Sequence, residues 1–296
     1  MNSGAAELEL DADIPHAHEH PAWTTLKRLF RHRLFLSGLG LFGIILLAAA
    51  LAPWIAPVDP TKLAMRFKFR PPGSDFAFGT DNFGRSLWSR VIWGAQLSVI
   101  IGFSVVALNA VFGTLIGALA GYFKVLDNGL MRVNDAMMAF PAILLAIGIT
   151  AVLGPSTLNA ILALAIVYIP RTARIVRSSV IVLREMEYVQ AAVAAGAGHW
   201  RILRRHILPN VMGPVLVIAT IHLAIAIITE ATLSFLGVGV PPTAPSLGTL
   251  IRIGNSYLFS GMWWISIFPG IALVALVLSV NLLGDWLRDA LNPKLR

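Results

Sequence analysis

Five long stretches of the chain carry no Asp, Glu, Lys or Arg: residues 34–58, 91–123, 136–170, 206–229 and 253–284. A helix of about 20 apolar residues crosses a hydrocarbon core of about 30 Å. The first, second, fourth and fifth stretches each fit one span. The third holds Gly154-Pro155-Ser156 near its middle, a tight-turn sequence, and splits into two short spans. The pattern predicts an all-α membrane protein with six transmembrane helices, at about 34–56, 97–122, 136–153, 157–174, 211–234 and 265–287. Residues 231–251 are also uncharged, but Gly237, Gly239, Pro241, Pro242 and Pro245 make them a loop.

An even number of spans puts both termini on one side, and Lys and Arg choose that side. With the termini inside, the inner segments hold sixteen of the basic residues and the outer segments seven. Both ends are therefore expected in the cytoplasm. The first apolar stretch follows a 33-residue leader that begins acidic, so it reads as a retained anchor rather than a cleaved signal. Residues 1–25 form a polar tail expected to be disordered, and residues 26–296 a single membrane domain. Gly113, Gly117 and Gly121 recur every four residues on one face of the second span, which lets another helix approach closely.

Composition sharpens this reading. Of 296 residues, 57% are hydrophobic and 13% charged, where soluble domains carry about 25% charge. Mean hydropathy is +0.76. An ordinary cytosolic globule, a disordered chain and a collagen-like fibre are excluded. The net charge is +8, with the first 20 residues contributing −5. Basic residues are not clustered on one polar face, so nucleic acid is not an expected partner. The absence of cysteine removes disulfides, iron–sulfur clusters, Cys-ligated zinc and thiol nucleophiles.

Catalytic chemistry is also missing. There is no P-loop, no GxSxG and no HExxH. Glu230 is the one carboxylate in the body of an expected span, so no intramembrane acid pair exists. It is a candidate for an outer gate or a subunit interface, with a hydrogen-bonded structural acid as the alternative. His16, His18 and His20 alternate in the tail near acidic residues. They could hold a divalent metal, although a solvated tail is the simpler reading. Trp263 and Trp264 are expected as interfacial anchors before the last span.

The inner segment 184–210 is the most distinctive. Seven of the eight residues 191–198 are Ala or Gly, which leaves backbone open to a partner. Gly196 and Gly198 break the helix and give a helix–turn–helix outside the bilayer. Arg201, Arg204 and Arg205 follow at helical spacing, and Pro209 is expected to end the element before the fifth span. The run Gln190-Ala191-Ala192, three residues, Gly196, nine residues, then His206-Ile207-Leu208-Pro209 resembles the EAA loop of ABC-importer permeases, with Gln in place of Glu and His in place of Ile.

Four further stretches extend the resemblance to the dipeptide, oligopeptide and nickel group of those permeases, and within it to the C-type subunit. They are Gly79-Thr80-Asp81 through Gly84-Arg85-Ser86 with Ser89-Arg90; Gly121-Tyr122-Phe123 through Phe140-Pro141; Phe235-Leu236-Gly237 through Pro245; and Asn281 through Arg296. Ser86 and Gln96 depart from the group's usual Asp and Arg. The resemblance implies a type I importer permease fold in the bacterial inner membrane. It implies a B-type permease partner, two ATPase subunits or domains, and an extracytoplasmic substrate-binding protein. ATP and Mg would be used by the ATPases, with no cofactor bound by this chain. The coupling residues implied are Glu187, Gln190, Ala191, Ala192, Gly196, Gly198, Arg201, Leu208 and Pro209. Gly79, Asp81, Gly84 and Arg85 form the outer-loop signature, where Asp81 and Arg85 could brace a helix start or touch a partner. Short peptides are the solute implied; nickel chelates, haem and other small solutes stay open. A membrane-embedded enzyme and a passive channel are the rival classes.

Overall fold

The computed structural model describes residues 33–291, and side chains within 35–288. The expected tail, with His16, His18 and His20, lies outside the described residues. All regular structure among them is helical: no strand occurs, and Thr80 and Ser86 form an isolated bridge.

The first apolar stretch folds as α1 (Arg33–Ala50) and a short α2 (Ala52–Ile55). A tied-down segment follows, with one 3-10 turn at Met65–Phe67. Then comes α3 (Leu87–Tyr122), 36 residues long. Next are α4 (Lys124–Met138) and α5 (Ala142–Leu153), which meet at a 92° bend. The bend falls at Phe140-Pro141, because a proline pushes the preceding residue out of helical geometry. Gly154 takes φ +83 and, with Pro155 and Ser156, makes the expected tight turn. Beyond it α6 (Thr157–Arg184) runs for 28 residues.

α6 differs from expectation by continuing about ten residues past 174, through Arg174 and Arg177 to Arg184. The arginines find acidic partners on α4. Arg174 pairs with Asp135 at 2.5 Å, and Arg177 grips Asp127 through two hydrogen bonds of 2.5 and 2.6 Å. Asp135 therefore pairs across helices rather than with Arg132 of its own turn.

The chain then forms α7 (Glu187–Ala194) and α8 (His199–Ile202), followed by a wide i→i+5 turn at Leu203–Ile207 and α9 (Leu208–Leu236). Pro209 was expected to end the element, yet helical structure passes through it from His199 to Leu236. The wide turn explains this. Leu208 N–H bonds the Leu203 carbonyl, so Pro209 enters the first turn of α9, where its missing N–H costs nothing. After the Gly/Pro loop come α10 (Leu247–Asn255) and α11 (Trp264–Leu291).

Four helices are long and apolar enough to cross a membrane: α3, α6, the His199–Leu236 helix and α11. The bent pair α4–α5 adds a broken fifth candidate, and α1 is a shorter apolar helix. α3 is the hub of the bundle. Its glycine face meets α6: a Cβ on Gly113 would lie 2.6 Å from Thr172 Cβ, one on Gly117 2.7 Å from Val176 Cβ, and one on Gly121 2.8 Å from Val180 Cβ. The glycine stripe thus serves packing within this chain. Trp264 is buried and donates to the Thr80 carbonyl at 3.1 Å, so it is a core strut; Trp263 is the exposed member of that pair.

Candidate functional site

The segment expected to couple, residues 184–210, is fixed from beneath and bare on top. Val189, Ile202, Leu203 and Ile207 are buried against Val176 and Val180 of α6, Ala118 of α3, and Val211 and Val215 of α9. Those apolar side chains hold the loop to the bundle. The opposite surface exposes Glu187, Gln190, Ala191, Gly196, Gly198 and Arg201, with Ala192 half-buried. Leu208 is partly buried against the same cluster, and Pro209 is exposed.

Local chemistry explains the shape. Glu187 stands in the first turn of α7, where a carboxylate complements the exposed N–H groups. Gln190 reaches back and donates from Nε2 to the Arg184 carbonyl at 3.1 Å, closing the corner between α6 and α7. The α7 C-terminus is a Schellman motif: Ala197 N–H bonds the Ala192 carbonyl at 3.0 Å and Gly196 N–H bonds that of Val193 at 2.9 Å. Gly196 takes φ +79 to make it, whereas Gly198 has φ −68. The two glycines that the sequence presents alike thus have different work.

The corner is tied to the end of α3. Arg184 donates to the Gly121 and Tyr122 carbonyls at 3.4 and 3.3 Å, satisfying acceptors that the helix terminus leaves free. Tyr122 hydroxyl meets His199 Nδ1 at 3.0 Å. Asn210 Nδ2 donates to the His206 carbonyl at 2.7 Å and to Tyr188 hydroxyl at 3.3 Å. A cavity of about 530 Å³ opens beside the loop, lined by Tyr122, Phe123, Arg184, Val189, Gln190 and His199 among others.

At the other end of α3 lies the outer-loop signature. Asp81 is fully buried and accepts from Arg85 Nε at 2.7 Å and Arg90 Nη1 at 2.6 Å. It also accepts the backbone N–H groups of Phe83 and Arg85 at 2.8 and 2.9 Å. Gly79 (φ +74) and Gly84 (φ +75) carry the turns around it, and a Cβ on Gly84 would strike the Ala64 carbonyl. The carboxylate ties the segment between α2 and α3 to the start of α3 and presents no exposed surface. Arg90 is also fully buried on α3.

Glu230 is fully buried on α9. Ser234 Oγ donates to it at 2.7 Å and Ser98 Oγ of α3 at 3.2 Å. The loop signature packs directly on this point: Val240 N–H bonds Ser234 Oγ at 3.3 Å, and a Cβ on Gly239 would lie 2.5 Å from that oxygen.

A third polar node lay hidden in the sequence. Thr172 of α6 donates to Asn109 Oδ1 of α3 at 2.6 Å and stands 3.4 Å from His222 Nδ1 of α9. All three are buried, with Asn109 Nδ2 and His222 Nε2 unpaired beside a small void. A search of the spans for charged residues passes over Asn, Thr and His; a search for any amide or imidazole among apolar residues finds it. Among the described residues no group of three His, Cys, Asp or Glu could hold a metal ion.

Residues 113–296 match the family described as the binding-protein-dependent transport system inner membrane component. Residues 21–72 match the N-terminal TM domain of oligopeptide transport permease C. A "Putative peptide transport system permease protein" of Brucella abortus biovar 1 is 52% identical over 96% of this chain and 95% of its own length. The dipeptide transport system permease protein DppC of Alkalihalophilus pseudofirmus is 40% identical over 91% of this chain and 89% of its own length. The glutathione transport system permease protein GsiD of Pectobacterium atrosepticum is 37% identical over 93% of this chain and 92% of its own length. A chain of the MetNI methionine ABC transporter, from a study of its inward-facing conformations, shares the fold at TM-score 0.55 and 22% identity, covering 69% of this chain and 96% of that one. The chain belongs to the binding-protein-dependent transport system inner membrane components: it is a multi-pass permease subunit of the bacterial inner membrane and not an enzyme.

Proposed function

We propose that this permease imports short peptides, by alternating access driven by ATPases that dock on residues 184–210. Support for the solute comes from relatives whose names specify peptide, dipeptide and glutathione transport. The observation that carries the coupling role is the form of the loop: apolar side chains fasten it below, while Ala and Gly residues, charged Glu187 and Arg201, and the large side chains of Tyr188, Val193 and Trp200 face outward. Such a knob suits insertion into a groove of another chain. ATP and Mg act on the ATPase partners, and this chain binds no cofactor of its own. A B-type permease completes the pore, and a binding protein delivers the solute from outside. Both termini lie in the cytoplasm, and α1, α3, α5, α6, α9 and α11 make six crossings, with α4 on the inner face. The positive-inside count and the even number of spans support that topology.

Glu230 serves as an outer-gate node, since Ser98, Ser234 and the Gly/Pro loop converge on it. Replacing it with Gln in an assembled complex is expected to depress uptake; unchanged uptake removes the gating role. The central experiment substitutes Ala192 with Arg. Expected is ATPase activity that persists while peptide uptake falls at least about tenfold, measured in proteoliposomes. Normal coupling in that variant sinks the docking role. Comparing peptides, nickel chelates and haem for stimulation of ATPase activity decides the solute. The chain has no cysteine, so single introduced cysteines report topology cleanly. A Lys62→Cys variant is expected to react with an impermeant maleimide from outside only.

A further inference from the structure

The outer segment after α1 departs from the charge bias of the rest of the chain. Lys62, Arg66, Lys68 and Arg70 fall within nine residues on the face proposed to be outside, where basic residues near span ends are normally sparse. All four are exposed, and among the described residues none forms an ion pair. The local acids are Asp59, Asp75 and Asp81; Asp59 is engaged by the Thr61 hydroxyl and N–H at 2.6 and 2.8 Å, and buried Asp81 by Arg85 and Arg90.

Large apolar side chains are exposed in the same stretch. Trp54 is 76% exposed, Leu63 61% and Met65 60%, with Ile55 and Val58 exposed as well. The backbone beneath them is not loose. Trp88 and Trp93 of α3 donate to the Ile55 and Ala56 carbonyls at 3.2 and 3.3 Å, and Ala64 N–H bonds the Phe83 carbonyl at 3.0 Å. Thr80 N–H donates to the Arg70 carbonyl at 2.9 Å, and Arg70 N–H donates to the Thr80 hydroxyl at 2.8 Å. The fold therefore holds these apolar and cationic groups out on purpose-built backbone, next to the end of a span.

We propose that residues 54–70 form a belt that binds anionic phospholipid in the outer leaflet. Exposed apolar side chains enter the acyl boundary, and Lys62, Arg66, Lys68 and Arg70 take the headgroup phosphates. Interleaved cations and apolar groups at a bilayer boundary are the composition of an interfacial element. An acidic face of the binding protein is the competing occupant. That contact must form and release in every cycle, and such transient interfaces are more polar than obligate ones, whereas Trp54, Leu63 and Met65 stand bare here. The belt rests on the topology proposed above, and the maleimide test at Lys62 fails separately if the segment faces inward.

The test uses the assembled transporter. A quadruple variant carries Lys62→Gln, Arg66→Gln, Lys68→Gln and Arg70→Gln; a second carries Leu63→Gln and Met65→Gln. Each is purified from membranes containing phosphatidylglycerol and then placed in nanodiscs of phosphatidylcholine alone or with phosphatidylglycerol. Expected is at least about tenfold less phosphatidylglycerol retained by the quadruple variant, and a smaller loss in the double variant. Stimulation of ATPase activity by phosphatidylglycerol should disappear in the quadruple variant, with melting temperature in neutral detergent unchanged. Affinity for the binding protein in that detergent should equal wild type. Retention of phosphatidylglycerol at the wild-type level overturns the proposal. So does a loss of binding-protein affinity in detergent, which assigns the belt to protein docking.

Discussion

At the scale of single residues, Gly196 and Gly198 separate two roles that a run of small residues conceals. Gly196 sits at φ +79, where a side chain on an L-residue crowds its own carbonyl at a cost of roughly 1–2 kcal/mol. Nothing lies near either glycine that a methyl group would strike. The Gly196→Ala variant should therefore disturb the turn between α7 and α8 through backbone strain alone, and Gly198→Ala should not. In proteoliposomes, uptake per ATP hydrolysed is expected to fall several-fold for the first and stay within error of wild type for the second. Asp81 makes a sharper case. It offers one carboxylate to two buried guanidinium groups. Asp81→Asn leaves both cations buried with a neutral partner, and breaking such a node costs about 3–5 kcal/mol. Yield of assembled complex from membranes should drop steeply, whatever happens to transport. Sequence spacing suggested the Asp81–Arg85 pair, since i and i+4 share a helix face; the participation of Arg90 depends on a turn that spacing does not encode.

At the scale of elements, two contacts with α6 carry opposite chemistry. Its apolar face rests on the α3 glycines, and a Cβ on Gly117 would run into the Ala173 carbonyl. Gly117→Leu should force the helices apart and abolish assembly, read as loss of the complex on size exclusion. Its cationic face is held by α4 through Asp127 and Asp135. The Arg177 guanidinium holds the Asp127 carboxyl below the usual carboxylate range. A lowered folded-state value contributes stability above the unfolded pKa and loses it as pH falls through the folded one. Attachment of α4 should therefore persist at neutral pH and weaken only below about pH 4. Amide exchange in residues 124–138 measures this, and Arg177→Gln should raise exchange already at pH 7. The apolar runs located the long apolar helices because lipid demands uninterrupted helix. They misplaced the ends of α6 and α9. One end was extended by ion pairs to α4, and the other by a wide turn that accommodates Pro209; both are tertiary effects invisible to a window of hydropathy.

At the scale of the whole molecule, α3 joins everything that has a proposed role. Its 36 residues span about 54 Å, more than a bilayer core. It starts at the Asp81 node, meets Glu230 through Ser98, meets α6 and α9 at Asn109, and ends under Arg184 at the α6–α7 corner. The Asn109–Thr172–His222 node is the one polar tie among these described residues that holds α3, α6 and α9 together within the apolar bundle. Thr172→Val removes its central hydroxyl and leaves Asn109 and His222 facing apolar groups, a loss of about 1–3 kcal/mol. Replacing all three with apolar residues of similar size removes the unpaired groups as well, and can be close to neutral in stability. If the node only packs the bundle, the triple variant regains both melting temperature and transport. A node that keeps the three helices in register between the outer loop and the coupling loop behaves otherwise. Melting temperature should then recover from the single to the triple variant, while stimulation of ATPase activity by the binding protein stays depressed in both. That second outcome is expected, because apolar replacement restores burial but not the directional bonds that fix one helix against another.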